Sequence, residues 1–382
     1  CSVSKVIKIL HVITNLAVGG AETFLYNLAT SMDKSSFDNR IVSLMHKEEI
    51  GDWLEKKGIP VTSLGMKRGI AGPLSLLRLA AIIRRENPDI IQTWLYHSDL
   101  MATVAILLSR TQGQLVWNIR CSNLVGDNRN KQLFWLRKLL CIISNKPHTV
   151  IVNSVAGKEF HHNFGYRPKR WKIVNNGFDF NKFRPKADAR DYIDETFCIE
   201  KDKFLIGLIG RFDPVKGIFN FIQSAGMVSK LIPNARFILI GDGMDSRNSH
   251  LNKWLNECYV KNIFTLAGKR DDISLIMPGL DVLASCSISE GFPNTIGEAM
   301  SCAVLCVATD VGDSSALIGD CGIIVPPGDT KKMAEAIRDA HLMDNKTKVK
   351  LGKAARVRIK ENYSLDESIA NYQSIYQSIV EG

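Results

Sequence analysis

The chain has 382 residues, of which 45% are hydrophobic and 23% are charged, so it can form two domains of ordinary size, each with its own core. The longest apolar runs, such as residues 100–108, fall well short of the roughly 20 apolar residues that a membrane-spanning helix needs. No charged-then-apolar segment typical of a secretion signal stands at the start of the sequence. We therefore expect neither a spanning helix nor a secretion signal.

The cysteines indicate a reducing compartment. There are nine, an odd number, and no two of them form a C-x-x-C pair. Cys302 and Cys306 have a spacing that could face a metal on a helix, but no histidine lies near them in the sequence, which favours buried thiols. Free thiols are typical of cytoplasmic proteins, so we expect a cytoplasmic location.

Positive charge is concentrated in the first half of the chain. Residues 1–178 contain 24 lysines and arginines against 12 acidic residues, whereas residues 179–382 contain 25 against 27. A polyanionic partner or an anionic membrane surface would therefore meet the first half. A soluble protein with a high isoelectric point is the alternative, and composition alone does not separate the two.

Short apolar runs rich in β-branched residues alternate with amphipathic stretches, and the alternation restarts near the middle of the chain. The predicted strands are 7–14, 40–45, 90–94, 115–119, 149–152, 204–210, 237–241, 263–266, 282–285 and 304–308. The predicted helices include 22–32, 74–85, one from about 218, 297–301 and 331–341. A polar, turn-rich joint lies at 176–185. This pattern predicts two doubly wound α/β domains with a cleft between them, where ligands usually bind.

Gly19 and Gly20 directly follow the first predicted strand and open a helix. Glycines at that position let the backbone approach a phosphate, and the helix N-terminus adds positive potential. A plain tight turn explains the pair equally well. The run is not G-x-G-x-x-G, which disfavours a dinucleotide site.

Two further segments carry charges beside glycines. Residues 210–217 place Arg211 and Lys216 after the first strand of the second domain, where two cations can bind a diphosphate. Residues 289–300 form a loop that leads into a helix, whose first amides favour phosphate oxygens. Glu290 in that loop can reach a sugar hydroxyl, and Glu298 can accept hydrogen bonds from a ribose diol.

These motifs occur in one order along the chain: Gly19-Gly20, Gly210-Arg211, Lys216-Gly217, Gly241-Asp242-Gly243 and Glu290-x7-Glu298. The set resembles the retaining family-4 glycosyltransferases with the GT-B fold, among them enzymes that build bacterial surface polysaccharides. The resemblance implies two doubly wound Rossmann-like domains facing a central cleft. Residues 1–177 would bind the acceptor and 178–362 the nucleotide sugar, and the last helix, about 363–382, would cross back onto the first domain.

The resemblance also assigns roles to matching residues. Arg211 and Lys216 would bind the donor diphosphate, Glu290 the donor sugar and Glu298 the ribose. The backbone of the following loop and helix start, with its amides, would line the phosphates and sugar around Phe292, Pro293, Asn294, Thr295 and Ile296. His97 would face the transferred sugar. Near the nucleobase would lie Gly268 and Arg270.

No Asp-x-Asp motif occurs in the sequence, and that motif commonly places a divalent ion on the diphosphate. Arg211, Lys216 and a helix N-terminus can take the electrostatic role of the ion, so we expect no metal and no other cofactor. The resemblance implies that a donor phosphate oxygen accepts the acceptor's proton, with Glu290 as a binder rather than a nucleophile. Three alternatives stay open: a sugar-nucleotide epimerase, a non-catalytic nucleotide-sugar-binding protein and a nicotinamide dehydrogenase.

The expected partners are a nucleotide sugar of the UDP or GDP type and a lipid-linked saccharide acceptor, without nucleic acid. Residues 116–123 look like the acceptor-side loop of family members, which implies that Arg120 contacts the acceptor. Residues 129–146 form a basic amphipathic helix that could lie on an anionic membrane. Its apolar stripe is Phe134, Trp135, Leu139 and Ile142, and its cations are Arg129, Lys131, Arg137, Lys138 and Lys146. Alternatively, the stripe is the core face of the domain.

Overall fold

The computed structural model describes residues 5–67, 72–120 and 131–382, so Cys121, Ser122, Asn123 and Arg129 lie outside the described residues. The chain forms two compact units. Residues Gly177–Leu365 belong to the second unit, and the described residues up to Asn176 form the first together with Asp366–Gly382.

The first unit is built on a parallel sheet with helices packed against it. Its strands are β1 (Ile7–Ile13), β2 (Phe37–Ser43), β3 (Val61–Ser63), β4 (Ile90–Trp94), β5 (Gln114–Ile119), β6 (Thr149–Val152) and β7 (Trp171–Ile173). The intervening helices are α1 (Gly20–Ser31), α2 (Glu48–Lys56), α3 (Pro73–Glu86), α4 (Tyr96–Ser109), α5 (Lys131–Ile143) and α6 (Val155–Phe164). The strand order is β3-β2-β1-β4-β5-β6-β7, and neighbouring strands pair in parallel, which is the doubly wound arrangement.

The second unit repeats this plan. Its strands are β8 (Phe204–Ile209), β9 (Ala235–Ile240), β10 (Phe264–Gly268), β11 (Val282–Ser285), β12 (Leu305–Thr309) and β13 (Ile323–Val325). Its helices are α7 (Ala189–Phe197), α8 (Ile218–Leu231), α9 (Ser249–Glu257), α10 (Ile273–Ile276), α11 (Asn294–Ser301), α12 (Ser314–Ile318), α13 (Thr330–Leu342) and α14 (Asn345–Asn362). The parallel order is β10-β9-β8-β11-β12-β13, with a hydrophobic cluster on each face of the sheet. The predicted α/β class with two doubly wound domains is confirmed.

The last helix, α15 (Leu365–Glu381), packs on the first unit. Tyr372 and Tyr376 are fully buried on its inner face. The hydroxyl of Tyr376 donates to Oε1 of Gln92 at 2.5 Å, and Ser368 Oγ donates to the Asn175 carbonyl at 2.8 Å. These contacts attach the C-terminal segment to the first sheet.

Helix α5 presents an exposed apolar stripe. The side chains of Trp135, Leu139 and Ile142 are 68%, 44% and 76% exposed, so the interpretation of the stripe as a core face is wrong for these three residues. Leu140 and Arg137 point inward instead. The guanidinium of Arg137, predicted as a surface cation, is buried among aromatic rings and is not available to a membrane. Among the described helices, none has both the length and the apolar character to cross a bilayer.

Candidate active site

The order of the first sheet reverses between β1 and β4, and open parallel sheets bind ligands outside the carboxyl ends of strands at such a point. The segment after β1 carries Gly19, and α1 begins at Gly20. The segment after β4 carries His97. The hydroxyls of Thr14 and Ser98 lie 3.3 Å apart and link the two segments. The fold therefore brings the predicted residues Gly19, Gly20 and His97 to one edge of the first sheet.

His97 lies in the first turn of α4 with part of its ring exposed. Desolvation lowers the pKa of the imidazole, which is therefore neutral at pH 7. Leu95, two residues earlier, has φ of 71°, a conformation that non-glycine residues rarely adopt and that is common at functional sites. Asp99 is buried and accepts a 2.5 Å hydrogen bond from Thr93, and burial raises the pKa of its carboxyl well above 3.8. The Thr93–Asp99 hydrogen bond thus joins the end of β4 to the start of the helix.

Arg120 follows β5 and is enclosed by the domain. Its guanidinium carbon lies 3.9 Å from the centre of the Phe24 ring, and Nη1 donates to the Tyr372 hydroxyl at 3.1 Å. Nη2 donates to the side-chain oxygen of Asn176, and Glu22 contributes a favourable charge interaction. These contacts connect β5, α1 and α15.

The second sheet reverses its order between β8 and β11, and two charged side chains meet there. Nζ of Lys216, after β8, lies 2.6 Å from Oε1 of Glu290, after β11. Ser287 Oγ donates to the same carboxylate oxygen at 2.7 Å. The amide of Ile288 donates to the Val215 carbonyl at 2.8 Å and joins the two loops through their backbones. The structure thus brings together two residues that the sequence predicted as binders of diphosphate and sugar.

Arg211 stands on the same loop as Lys216 but faces solvent. Its side chain is 65% exposed, and Nε and Nη2 lie 2.9 and 2.8 Å from Oδ2 of Asp213. The other carboxylate oxygen of Asp213 accepts from the Val215 amide at 3.0 Å and caps a short 3₁₀ turn over Pro214–Lys216. The exposed position leaves the guanidinium accessible to an anionic ligand.

Two glycines set the shape of this site because their backbones approach other loops closely. Gly217 has φ of +61°, and a Cβ there would overlap the carbonyl of Cys286. Gly312 has φ of +58°, and a Cβ there would lie only 2.5 Å from the Glu290 carbonyl oxygen. Both positions require the left-handed conformation and the absence of a side chain. They hold the loops of Lys216 and Glu290 together.

Helix α11 points its N-terminus at this site. Thr295 lines the same small cavity as Lys216, between the ends of β8 and β11. Pro293, which precedes the helix, has no side chain that could cap it. The Ile296 amide donates to the Pro293 carbonyl at 3.2 Å, and Asn294 and Thr295 form the start of the helix. Such a helix start favours phosphate oxygens.

Glu298 lies one turn further along α11 and is mostly buried. Burial raises the pKa of its carboxyl from 4.5 to about 7, and the positive charge of Lys182 opposes the shift. Phe178 packs so closely against the helix that a Cβ on Gly297 would overlap its ring. Phe178 also stacks on Phe292, with ring centres 6.0 Å apart. The carboxylate is thus mostly buried, on a helix that packs against an aromatic ring at Gly297.

Gly268 ends β10, and Arg270 follows it. Nε of Arg270 donates to Oδ1 of Asp272 at 2.8 Å, and the guanidinium lies 5.5 Å from the centre of the Phe197 ring. The Gly268 carbonyl accepts from the Gly241 amide at 2.8 Å, which ties this edge of the sheet to the loop after β9. Gly268 and Arg270 therefore lie at the same carboxyl edge as Lys216, two strands away.

Three residues at the second site were not predicted from the sequence. Ser287 hydrogen-bonds Glu290, Lys182 acts on Glu298, and Gly312 supports the Glu290 loop. Ser287 gave a usable signal, because a hydroxyl three residues before a carboxylate often bonds it in a turn, and Gly312 lies in a segment, residues 309–313, that resembles the family.

Two family models match the chain. Residues 18–182 match glycosyltransferase family 4, and residues 203–342 match glycosyl transferases group 1. The two matches follow one another and together span most of the sequence.

Individual relatives agree with these matches. An Escherichia coli protein, UDP-Gal:alpha-D-GlcNAc-diphosphoundecaprenol alpha-1,3-galactosyltransferase, is 23% identical over 80% of this chain and 79% of its own length. The capsular polysaccharide biosynthesis glycosyltransferase CapM of Staphylococcus aureus is 23% identical over 98% of this chain and 97% of its own. The structure of Anabaena HepE in complex with UDP-glucose superposes with a TM-score of 0.84 at 21% identity, covering 97% of this chain and all of HepE.

The tandem family matches follow the two doubly wound units, and the charged residues at the second switch point stand where the sequence motifs predicted them. The chain belongs to the family-4 glycosyltransferases and has the GT-B fold.

Proposed function

We propose that the enzyme transfers a sugar, with retention of configuration and without a metal ion, from a UDP- or GDP-type donor to a lipid-linked glycan in surface polysaccharide synthesis. The observation that carries this proposal is the Lys216–Glu290 pair beside the first turn of α11. The names of relatives support it. HepE was crystallised with UDP-glucose, and the names of the two relatives specify a diphosphoundecaprenol-linked acceptor and capsular polysaccharide.

The donor would replace the internal ion pair with contacts of the same kind. A diphosphate oxygen takes the place of the Glu290 carboxylate at Lys216, while Arg211 and the α11 amides bind the remaining phosphate charge. Hydroxyl groups of the sugar donate to Glu290. The ribose diol donates to Glu298, and the base lies towards Gly268 and Arg270. Two strand spacings separate β10 from β8, about 10 Å, which a nucleoside can bridge.

The reaction is then a displacement on one face of the sugar. The acceptor oxygen forms a bond to the anomeric carbon, and the bond from that carbon to the diphosphate oxygen breaks. The leaving diphosphate keeps the electron pair, and one of its phosphate oxygens takes the acceptor's proton. Lys216, Arg211 and the α11 amides stabilise the growing negative charge, and they supply the electrostatic role for which other transferases use a divalent ion.

Two residues of the first unit also have proposed roles. His97 would contact the transferred sugar as a neutral hydrogen-bonding group, a role that comes from the family resemblance. The contacts of Arg120 with Phe24 and Tyr372 support a role in fastening α15 to the sheet. Its contact with the acceptor stays a prediction.

A lipid-linked acceptor requires the enzyme to work at a membrane surface, which we place at the cytoplasmic face. Helix α5 suits that surface, because Trp135, Leu139 and Ile142 are exposed and Lys131 and Lys138 lie on the same helix. We expect sedimentation with anionic vesicles at low salt and release at high salt. Equal and negligible binding to anionic and neutral vesicles at low salt would rule out the docking but not the transferase activity.

The experiment that tests the reaction is incubation with a panel of labelled nucleotide sugars and a lipid extract. Transfer of label to lipid with the anomeric configuration of the donor supports the proposal. An altered nucleotide sugar formed without acceptor would indicate an epimerase, and donor binding without any product a non-catalytic protein. Inversion of the anomeric centre would disprove the proposed displacement.

A further inference from the structure

The first unit contains a second cavity, away from the candidate active site. Its volume is about 700 Å³, within the range of small-molecule sites. Leu107, Leu115, Ile143, Lys146 and Arg170 are among the residues that line it. They belong to the end of α4, the start of β5, the end of α5 and the segments that precede β6 and β7. The cavity therefore lies at the amino-terminal edge of the sheet, opposite the edge that carries Gly19 and His97.

The described lining combines cations with an apolar wall. Lys146, Lys169 and Arg170 carry positive charge, and the described residues that line the cavity include no aspartate or glutamate. Arg170 contacts Nε2 of His148, and desolvation together with Arg170 and Lys169 lowers the pKa of that imidazole. His148 is therefore neutral at pH 7. Because no acidic side chain in the described lining balances these cations, the positive potential of the cavity favours an anion that binds from solution or from a membrane.

Exposed aliphatic side chains lie in the cavity lining or next to lining residues in the sequence. Leu107, which lines the cavity, is 75% exposed, and its neighbour Leu108 is 49% exposed. Ile142, next to the lining residue Ile143, is 76% exposed. An inorganic anion would gain nothing from such a wall, and the volume is far larger than a phosphate needs. Charge and shape together fit an anionic head group with an attached hydrocarbon chain.

We propose that this cavity binds one acidic phospholipid of the membrane, with its phosphate on Lys146, Lys169 and Arg170 and the start of an acyl chain on Leu107 and Ile143. The proposal rests on the membrane docking proposed above and extends it, because the lipid would fix the orientation of the first unit on the bilayer. Ile143, which lines the cavity, lies one turn after the exposed Leu139 on α5, so the cavity and the exposed stripe share this helix.

The test measures binding of dihexanoylphosphatidylglycerol below its micellar concentration, by calorimetry on the whole chain without donor or acceptor. The variant Lys146→Glu/Lys169→Glu should bind it at least tenfold more weakly than the native protein. The control is Lys56→Glu/Lys57→Glu, which changes the net charge equally on exposed residues beside β3, at the other end of the sheet. It should bind like the native protein.

Two further ligands and one variant separate the possible sources of binding. Dihexanoylphosphatidylcholine and inorganic phosphate should bind at least tenfold more weakly than the acidic lipid. Leu107→Gln should lower the affinity for the acidic lipid and leave the affinity for phosphate unchanged. Equal affinity of both double variants, or equal affinity of phosphate and lipid, would overturn the proposal. Because no sugar transfer is measured, failure here is distinct from failure of the transferase function.

Discussion

Lys216 and Glu290 are 74 positions apart in the sequence, yet Nζ and Oε1 lie 2.6 Å apart where the second sheet reverses its strand order. Both side chains are largely buried, at 24% and 14% exposed. Two opposite charges that are removed from water stabilise each other only while both are present. The pair therefore keeps the site neutral until a ligand supplies a phosphate for the lysine and a hydroxyl for the glutamate.

We predict that Lys216→Ala lowers kcat/KM by about a hundredfold or more. It removes the cation that stabilises the leaving diphosphate, a loss of roughly 3 kcal/mol of transition-state stabilisation. Initial rates with the donor identified from the panel measure the effect. The double variant Lys216→Ala/Glu290→Ala should lose less than the sum of the two single losses, because both residues act on one ligand.

Lys230→Ala is the matched control for this prediction, because Lys230 is an exposed lysine in the last turn of α8. It should keep normal turnover. Near-normal activity of a folded Lys216→Ala protein would show that the proposed donor site is wrong.

The sequence predicted the fold well where strands are long and buried. Each predicted strand is present with ends shifted by at most a few residues, because continuous apolar runs such as Phe204–Ile209 have no alternative to burial. The strands β3, β7 and β13 were not predicted. Each has three residues and lies at the edge of its sheet, so only a few partly exposed side chains carry its pattern.

At the site, residue types were predictable and their contacts were not. Glycines next to Arg211, Lys216 and Glu290 identified the charged loops. The ion pair itself depends on strand order, which decides that the loops after β8 and β11 become neighbours. For α5, the helical spacing of Trp135 and Ile142 showed one stripe, but only the packing of the inner face decides which stripe is buried.

We predict that binding of the donor nucleotide weakens as the pH falls from 8 to 6. Glu298 can accept hydrogen bonds from the ribose diol with both oxygens only as a carboxylate, and burial raises its pKa to about 7. At pH 6 most of the protein carries the protonated form, so affinity should fall about tenfold relative to pH 8. Calorimetric titrations with UDP-sugars and GDP-sugars measure this, because their diphosphate, unlike that of free UDP or GDP, has no group that titrates between pH 6 and 8. Glu298→Gln should bind weakly with a flat pH dependence, and an unchanged slope would argue against the assignment.

Protonation of Glu298, which should weaken donor binding, should in contrast raise the free energy of unfolding. Between the unfolded pKa of 4.5 and the folded pKa of about 7, the folded protein binds more protons, so stability falls as the pH rises and the loss is complete above 7. Glu298→Gln removes this loss. Because the side chain keeps some contact with solvent, we expect the variant to be about 2 kcal/mol more stable at pH 8 and equal to the native protein near pH 4.5. Denaturant titration at both pH values tests this, and equal stability at pH 8 would contradict it.

We predict full activity after exhaustive chelation. Lys216, Arg211 and the start of α11 would balance the diphosphate charge. Removal of divalent ions should therefore leave the stabilisation of the transition state unchanged. Rates are measured after dialysis against EDTA, with a metal-dependent transferase as a positive control for chelation. Activity that disappears with EDTA and returns with magnesium or manganese would show that the mechanism is wrong.

The last prediction concerns Gly312, which would affect the proposed donor indirectly, through its contact with the Glu290 loop. Gly312→Ala should raise KM for the donor at least tenfold, because the new Cβ would stand 2.5 Å from the Glu290 carbonyl oxygen and displace that loop. Gly328→Ala is the matched control: its φ of +79° gives a similar backbone strain, but nothing lies within 4 Å of a Cβ there. Both variants should lose about 1 kcal/mol of stability from that strain. If both raise KM equally, strain rather than displacement of Glu290 is responsible, and the proposed support of the loop is wrong.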